Sequence, residues 1–487
     1  MAKKRVVVIY PGKYPSSKEI GQTLPMGPLA VLTYLKDKGI NVEFFDARHN
    51  DINELSLDNV ILVGLNAFTG GQITQAVDIA KTVRDKNPSI PLVWGGIHSS
   101  LYPKQTIQSK YVDMIVVGEG EETIYELVKA LENKTPLNDV KGLLWKEKNG
   151  DIHINESRPL LDIENLPFTD FSLLGDLGKY NLDWVSIGSS RGCPHRCTFC
   201  FEVAFYKFKW RSKSAIKTVD EIQDTIKKVH PKNIFFNDDL FFVNKKRVED
   251  ICQEIIKRGL NKECCFGGNC RLDYLARYED EFLQLLKDAN FKYLNFGGES
   301  GSQKILDYVK KDLKIEETLK AAEKLKKFDF IPTISFVIGT PLEKREDLME
   351  TVKLVDSLMK IDPRANLILF IFNPYPGTPM YEEAIKSGFK EPDSFEGWGQ
   401  YAMFNDAFKL PWLGKDDQEV VQCVSNCMEL ISTHSRPKWE WDPKFILRYV
   451  AKSFLISSAK IRWKYKFFEY PLEILTVERL YNRKLYR

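Results

Sequence analysis

The sequence SSRGCPHRCTFCF, residues 189–201, places three cysteines at positions 193, 197 and 200. Three residues separate the first pair and two the second, so one short loop can direct all three thiolates at a single point. A [4Fe-4S] cube bound by three thiolates keeps one iron open to a ligand that is not protein. The stretch therefore predicts a cluster site, with Cys193, Cys197 and Cys200 as metal ligands and catalytic residues.

Two other uses of these cysteines fit the spacing less well. A structural zinc ion needs four ligands, and the only extra candidate, His195, is too close to Cys193 to complete a tetrahedron easily. A disulfide would leave one thiol over, and the remaining six of the nine cysteines follow no framework spacing.

The CxxxCxΦC pattern, with the aromatic Phe199 before the last cysteine, resembles the signature of radical S-adenosylmethionine (SAM) enzymes. The resemblance implies that the amino and carboxylate groups of SAM chelate the open iron. An electron from the cluster then cleaves the sulfonium to a 5′-deoxyadenosyl radical. It also implies a place for Phe199 at the cofactor and an external electron donor of the flavodoxin or ferredoxin type.

Residues 4 to about 135 alternate short apolar runs with helical stretches. RVVVIY, NVEFFD, NVILVGLN, IPLVWGG and VDMIVVGEG are strand-like, and segments such as QAVDIAKTVRDKN between them are helical. Continuous apolar strands with intervening helices predict a doubly wound parallel sheet covered on both faces. Ligands of such sheets bind beyond the carboxyl ends of the strands, where the loops SKEIG, FTGGQ, GGIHSS and GEGEET fall.

The order of these segments resembles the cobalamin-binding domain that precedes the radical SAM barrel in one large subfamily. The resemblance implies a Rossmann-like cobalamin domain over residues 1–135. Its expected contacts to the corrin and its nucleotide tail are Phe68, Thr69, Gly95, Gly96, His98, Gly118, Gly120 and Glu121. The histidine-bearing DxHxxG motif is missing from YPGKYPSSKEIG, and His49 follows the second strand instead. We therefore expect water, another side chain or nothing below the cobalt.

Residues 136–183 break the alternation. They predict a small hairpin turning at Asn149–Gly150, followed by an extended linker. From Trp184 to residue 390, six strands each followed by a helix predict a partial (β/α)6 TIM-type barrel. By the family resemblance, polar residues at the strand ends bind SAM: Glu299 and Ser300 first, then Asp238, then Arg271. A helix-capping role competes for Asp238.

The last region, residues 391–487, is expected to be mainly helical. From position 435 onward it contains thirteen Lys or Arg and five Asp or Glu, interleaved with bulky aromatics. Such helices can dock on the barrel as a lid, hold an anionic substrate, or lie on an anionic membrane. We expect the docked lid, with peripheral membrane contact as the alternative, and no nucleic-acid binding, since no recognised module is present.

Composition limits the protein class. With 487 residues, 43% of them hydrophobic, the chain can form two or three domains with their own cores. No apolar run approaches the ~18 residues of a membrane-spanning helix. Nine cysteines without a signal peptide predict a cytoplasmic protein.

The expected protein is thus an α/β cobalamin-dependent radical SAM enzyme. The resemblance implies methylation of an unactivated carbon or a phosphinate through methylcobalamin. Cyclisation, rearrangement or carbon–carbon coupling on a tetrapyrrole or lipid is the alternative within the same architecture. A non-catalytic cobalamin or redox sensor is the alternative of another class. The substrate class stays open among small molecules, lipids and tetrapyrroles.

Overall fold

The computed structural model describes residues 4–12, 24–401, 410–432, 443–470 and 473. Seven short strands form the first sheet: β1 (Arg5–Tyr10), β2 (Val42–Asp46), β3 (Val60–Asn66), β4 (Leu92–Gly95), β5 (Met114–Val116), β6 (Leu143–Lys146) and β7 (Ile152–Ile154). Their order is 2-1-3-4-5-6-7, and the first five run parallel. The order of those five is that of a flavodoxin-like doubly wound sheet, which confirms the predicted class.

The helices of this domain cover both faces of the sheet because successive strand residues point to opposite sides. Val6 and Val8 belong to the core under α1 (Met26–Asp37) and α5 (Glu121–Asn133). Val7 and Ile9 belong to the opposite core, under α2 (Gly71–Lys86). Two short helices, α3 (Ile97–Leu101) and α4 (Pro103–Thr106), follow β4.

The predicted hairpin is present, and it extends the first sheet. β6 pairs antiparallel with β5 and with β7, and Gly150 in the turn has a φ of +98°. A φ in this range suits glycine in a tight turn. The hairpin therefore contributes two antiparallel strands to one edge of the parallel sheet.

A second sheet has six parallel strands: β8 (Trp184–Ile187), β11 (Asn233–Phe236), β12 (Cys265–Cys270), β13 (Phe291–Glu299), β14 (Ile331–Ile338) and β15 (Asn366–Ile371). Between β8 and β11, a two-stranded ribbon of β9 (Ser190–Arg191) and β10 (Arg211–Ser212) carries the cysteine loop. The order 8-11-12-13-14-15 confirms the predicted six-stranded partial barrel.

Helices follow the barrel strands as the sequence predicts. They are α6 (Glu202–Phe205), α7 (Ala215–Val229), α8 (Lys245–Lys257), α9 (Leu272–Arg277), α10 (Asp280–Asp288), α11 (Gln303–Tyr308), α12 (Ile315–Lys327), α13 (Arg345–Ile361) and α14 (Pro379–Lys386). Together with the strands they enclose one continuous apolar core that includes Phe236, Phe266 and Phe336. The carboxyl ends of β8 and β11 border a cavity, whereas Trp412 covers the end of β14 by donating to the backbone oxygen of Gly339.

The carboxyl-terminal region is helical where it is described, as expected. Helices α15 (Lys415–Ile431) and α16 (Pro443–Tyr465) join the barrel core, to which Val424 and Trp463 contribute. The short 3₁₀ helix Glu396–Gln400 instead contacts the first domain, where Trp398 Nε1 donates to Gln105 Oε1 at 2.6 Å. No helix in the described part of the chain has the length and hydropathy needed to cross a bilayer.

Candidate active site

A cavity of about 650 Å³ lies between the carboxyl ends of the two parallel sheets. Its lining from the first domain includes Tyr10, Asn66, Phe68, Gly95, Gly96, Gly118, Glu119, Gly120 and Glu121. Its lining from the barrel includes Ser186, Gly188, Arg191, Phe201, Glu202, Tyr206, Asn237 and Asp239. Both sheets thus direct the end at which α/β proteins bind ligands toward one shared space.

The cysteine loop leads directly into this cavity, because α6 begins two residues after Cys200 and lines it. All three cysteines are free thiols, with Cys197 buried and Cys193 and Cys200 partly buried. Burial raises the pKa of Cys193 to about 11 and that of Cys200 further. As placed, no three His, Cys, Asp or Glu side chains of the described residues form a metal-binding arrangement. The donor set itself, three free thiols on one loop, suits an iron–sulfur cluster.

Two buried cations lie beside this loop. Arg271 and Lys311 are each close enough to Cys197 to interact with it electrostatically. Both side chains are cations, so they place positive charge beside the loop. The barrel therefore offers a positive environment to the sulfur ligands of the predicted cluster.

His195, the candidate fourth ligand of a zinc site, is engaged elsewhere. Its Nε2 lies 2.8 Å from the hydroxyl of Tyr274 on α9. Burial and the charge of Arg271 lower the pKa of His195 to about 4, so the ring is neutral at physiological pH. The contact with Tyr274 holds the ring away from a role as zinc ligand.

Glu299 and Ser300 are the residues most strongly expected to contact SAM. They lie at the end of strand β13, in a strained, buried turn. Glu299 has a φ of +57°, which is unusual for a side chain other than glycine, and its carboxylate accepts a hydrogen bond from Lys311 Nζ at 2.6 Å. Ser300 is buried, with its hydroxyl 3.2 Å from that of Thr351. Lys311 thus joins Glu299 to the environment of Cys197, while Ser300 contacts helix α13, and neither Glu299 nor Ser300 lines the cavity.

Asp238 and Arg271, the other SAM candidates, are held by the protein itself. The Asp238 carboxylate accepts hydrogen bonds from the backbone N–H of Ser189 at 2.7 Å and from the hydroxyls of Ser189 and Ser190. Arg271 Nε donates to Asp273 at 2.7 Å. Neither side chain lines the cavity, whereas the neighbours of Asp238, Asn237 and Asp239, both do. A ligand role for these two residues stays a prediction.

Six of the eight predicted cobalamin contacts line the cavity: Phe68, Gly95, Gly96, Gly118, Gly120 and Glu121. At Gly95 and Gly118 an added Cβ would meet no heavy atom of the protein within 4 Å. Gly118 and Gly96 have φ values of +86° and +93°, so other residues would be strained there. Glycine therefore leaves bare backbone at the cavity wall, a surface against which a large flat ring system can lie.

The other two predicted contacts, Thr69 and His98, lie outside the cavity lining. The Thr69 hydroxyl is 2.9 Å from Nδ1 of His98, and the buried histidine ring lies between Phe395 and Trp398. Burial lowers the pKa of His98 to about 4. In this structure the pair joins the first domain to the segment that follows the barrel.

The residues expected to lie below cobalt, including the SKEIG loop, fall mostly within 13–23. These positions lie outside the described residues. His49, the other histidine considered there, packs edge-on against Tyr180 with ring centroids 5.2 Å apart. It does not line the cavity. The position below the cobalt therefore stays a prediction.

Sequence reasoning missed a network of ion pairs across the cavity wall. Arg191, two residues before Cys193, donates to Glu119 at 2.9 Å and to Glu121 at 2.5 Å. Arg211 also donates to Glu119. Burial alone would raise the pKa of Glu119, but Arg211 and Arg191 hold it below its usual value. These residues pair the first domain with the barrel at the cysteine loop.

Sequence reasoning also missed Glu202, two residues after Cys200. Its side chain is buried at the cavity wall, and neither carboxylate oxygen has a partner with hydrogen-bonding geometry among the described residues. Burial, followed by the negative charge of Asp239, raises the pKa of Glu202 to about 9. The sequence signal that could have identified Glu202 is its position directly after the cysteine motif. The cavity thus contains two neighbouring acids, Glu202 and Asp239, that form no ion pair with a cation of the described residues.

Comparisons with known proteins agree with this geometry. Residues 187–355 match the radical SAM superfamily, and residues 20–128 match the B12 binding domain. An uncharacterized methyltransferase of Pyrococcus horikoshii is 30% identical over 418 residues, which cover 84% of this chain and 88% of that protein. An anaerobic magnesium-protoporphyrin IX monomethyl ester cyclase of Rubrivivax gelatinosus is 28% identical over 396 residues, covering 78% and 70%. The solved structure of the cobalamin-dependent S-adenosylmethionine radical enzyme OxsB with aqua-cobalamin has a TM-score of 0.73 at 18% identity, covering 99% of this chain and 76% of that one.

Proposed function

Because this chain belongs to the radical SAM enzymes with an N-terminal cobalamin-binding domain, we propose that it methylates an unactivated carbon or a phosphinate. The chain is a cobalamin-dependent radical SAM enzyme, and its cofactors are a [4Fe-4S] cluster, SAM and cobalamin. When bound, the cluster supplies the electron that cleaves SAM, and cobalamin supplies the methyl group. The other steps depend on how the chain holds these groups.

In this proposal Cys193, Cys197 and Cys200 hold the cluster, and Arg271 and Lys311 stabilise its thiolates. Lys311 bonds to Glu299 at 2.6 Å, so Glu299 is held beside the cluster loop. A carboxylate is the acceptor that the ammonium group of SAM needs. We assign Glu299 to that group, with Lys311 orienting the carboxylate through its hydrogen bond.

The first domain provides the surface for cobalamin. Gly95 and Gly118 present backbone without side-chain cover, and Phe68 places a ring at the cavity edge with 43% of its surface exposed. Glu121 is held rigid by Arg191. These residues would hold cobalamin at a cavity that residues flanking the cysteine loop also line. Transfer between two cofactors requires such proximity.

Glu202 and Asp239 supply the acidic part of the same cavity. A sulfonium group carries a fixed positive charge, and its presence beside these buried acids would favour their ionised forms. Ribose hydroxyls and corrin amides are N–H or O–H donors that suit the unpartnered oxygens of Glu202. We assign these two acids to the bound cofactors rather than to substrate anions, which they would repel.

The proposal rests on one observation: the cavity borders both the cysteine loop and the exposed glycines of the first domain. The test is product analysis of anaerobically reconstituted enzyme with cobalamin, SAM and candidate substrates. Methyl transfer yields S-adenosylhomocysteine together with 5′-deoxyadenosine. A product gaining no methyl group, with 5′-deoxyadenosine alone, would reject methylation while leaving the radical chemistry intact.

Radical cyclisation is the second candidate, favoured by the 28% identity to the cyclase of Rubrivivax gelatinosus over 78% of this chain. It would use the same cavity and the same SAM-cleaving loop. The absence of S-adenosylhomocysteine among the products distinguishes it from methylation. In either reaction the enzyme acts on a small substrate and needs an electron donor, which we propose to be of the flavodoxin or ferredoxin type.

A further inference from the structure

Five large apolar side chains are exposed within one short segment at the end of the described chain. They are Phe454, Ile461, Tyr465, Phe467 and Tyr470, with 59%, 59%, 69%, 50% and 76% of their surfaces exposed. Elsewhere in the described residues, large apolar side chains with comparable exposure are scattered singly or in pairs along the sequence. Exposed apolar residues gathered in one place indicate an interaction surface.

Helix α16 is docked on the barrel through one face, and Phe467 and Tyr470 follow its end. Leu455, Ala459 and Trp463 on α16 are buried in the barrel core. Phe454, Ile461 and Tyr465 are seven and four residues apart, which aligns them on the opposite stripe of the helix. The exposed stripe is therefore held in place by packing, and it is presented to the outside as a fixed surface.

The charge of this surface is positive. Lys460 and Lys464 are exposed beside the apolar stripe, and neither forms an ion pair with an acid among the described residues. The acids of the segment are paired with arginines of the protein: Glu469 pairs with Arg345 on α13, and Glu473 pairs with Arg462 on α16. A stripe of Phe, Ile and Tyr flanked by lysines matches the headgroup region of an anionic bilayer, where aromatic rings and cations are both stabilised.

One end of this surface is anchored near the carboxyl end of β14. Arg345 begins α13, directly after the loop at the carboxyl end of β14, and its ion pair holds Glu469 there. Phe467 and Tyr470 flank Glu469 in the sequence and are exposed. We propose that Phe454, Ile461, Tyr465, Phe467 and Tyr470, with Lys460 and Lys464, form a docking surface for anionic lipid bilayers.

The test is co-sedimentation of the full-length, anaerobically purified holoenzyme with lipid vesicles. Vesicles of phosphatidylcholine and phosphatidylglycerol in equal parts should retain the protein, and vesicles of phosphatidylcholine alone should not. Added salt should release it, because the lysine attraction is screened over a Debye length of about 8 Å at physiological ionic strength. The double variant Lys460→Glu/Lys464→Glu should lose at least about tenfold in apparent affinity.

The apolar contribution has a matched control. Phe454→Ser/Ile461→Ser should weaken vesicle binding, whereas Ile154→Ser/Ile216→Ser removes two equally exposed side chains far along the sequence and should not. Unchanged 5′-deoxyadenosine formation by all variants will show that the fold and the cluster persist. Equal binding to neutral vesicles, no vesicle binding, or binding unaffected by both surface variants would overturn the proposal. Salt-sensitive capture of RNA in place of vesicles would overturn it as well.

Discussion

Arg191 Nη2 on the cysteine loop donates a hydrogen bond to Glu121 Oε1 of the first domain at 2.5 Å. The contact spans 70 residues of sequence and joins the two domains at the wall of the cavity. The Glu121 side chain is almost fully buried, with 4% of its surface exposed, so loss of Arg191 would leave a buried carboxylate without this cation. The ion pair thereby couples the position of the cysteine loop to the domain expected to bind cobalamin.

Replacing Arg191 with Met should destabilise the protein by about 3 kcal/mol, because breaking a buried ion pair leaves a carboxylate without compensation. The measurement is the free energy of unfolding from urea titration of anaerobic protein. Lys327→Met, which removes an exposed pair with Asp280, is the control and should change the free energy of unfolding far less. The double variant Arg191→Met/Glu121→Gln should recover part of the loss. Equal effects at Arg191 and Lys327 would argue against the coupling.

Replacing Cys197 with Ala should abolish reductive cleavage of SAM and leave cobalamin binding intact, since the thiol belongs to the barrel loop and the glycine-lined surface to the first domain. Formation of 5′-deoxyadenosine measures the first and equilibrium dialysis the second. Cys252→Ala removes a buried thiol in α8, away from the loop, and should retain cleavage. Persistent cleavage by Cys197→Ala would refute the cluster assignment.

Replacing Glu202 with Gln should weaken SAM binding by about tenfold, because Gln cannot ionise when the sulfonium cation binds beside it. The measurement is the dissociation constant of SAM for the cluster-loaded enzyme. Glu323→Gln, an exposed position on α12, is the matched control and should bind SAM normally. If both variants bound SAM like the parent protein, Glu202 would have no part in holding the cofactor.

The fold could be predicted from the sequence because its signals are local. Val6, Val7, Val8 and Ile9 form a run that favours a strand with two buried faces, and each such run is followed by a helical pattern. The spacing of the three cysteines is equally local. For this reason the sheet class, the hairpin and the six barrel strands all follow from short windows of sequence.

The exact membership of the site could not be predicted in the same way. Asp238 and Asp239 are neighbours, and only the fold decides that Asp238 bonds to Ser189, 49 residues away, while Asp239 faces the cavity. From the sequence alone, His98 resembles a ligand on a loop. In the structure its ring packs against Phe395 and Trp398, which lie nearly 300 residues later in the chain. A short window of sequence contains no information about contact partners this distant in the chain.

Glu343 should make stability depend on pH. Its buried carboxylate accepts hydrogen bonds from the N–H groups of Gly339 and Thr340, and burial raises its pKa from 4.5 to about 7. A raised pKa means that the folded state binds the proton more tightly than the unfolded state. The stability contributed by this group is therefore complete below pH 4.5 and declines as the pH rises through 7.

The expected decline from this group is about 3 kcal/mol between pH 5 and pH 8. Glu343→Gln keeps an acceptor for the two N–H groups and has no proton to lose, so its stability should fall less over that range. Urea unfolding at both pH values measures the difference between the two proteins. Parallel pH profiles for the parent and the variant would show that Glu343 titrates normally.

Gly95→Val separates cobalamin binding from folding. The position ends β4, its φ is not in the positive range, and an added Cβ meets no heavy atom of the protein within 4 Å, so valine should fit without strain. The same side chain would occupy the space proposed for the corrin, and cobalamin affinity should fall by at least about tenfold, the cost of roughly 1.4 kcal/mol of lost contact. Equilibrium dialysis measures the affinity, and urea unfolding of the cobalamin-free protein measures stability. Gly414→Val, also free of contacts but outside the cavity lining, should leave cobalamin affinity unchanged. Unaltered cobalamin binding by a folded Gly95→Val protein would move the cofactor away from this wall of the cavity.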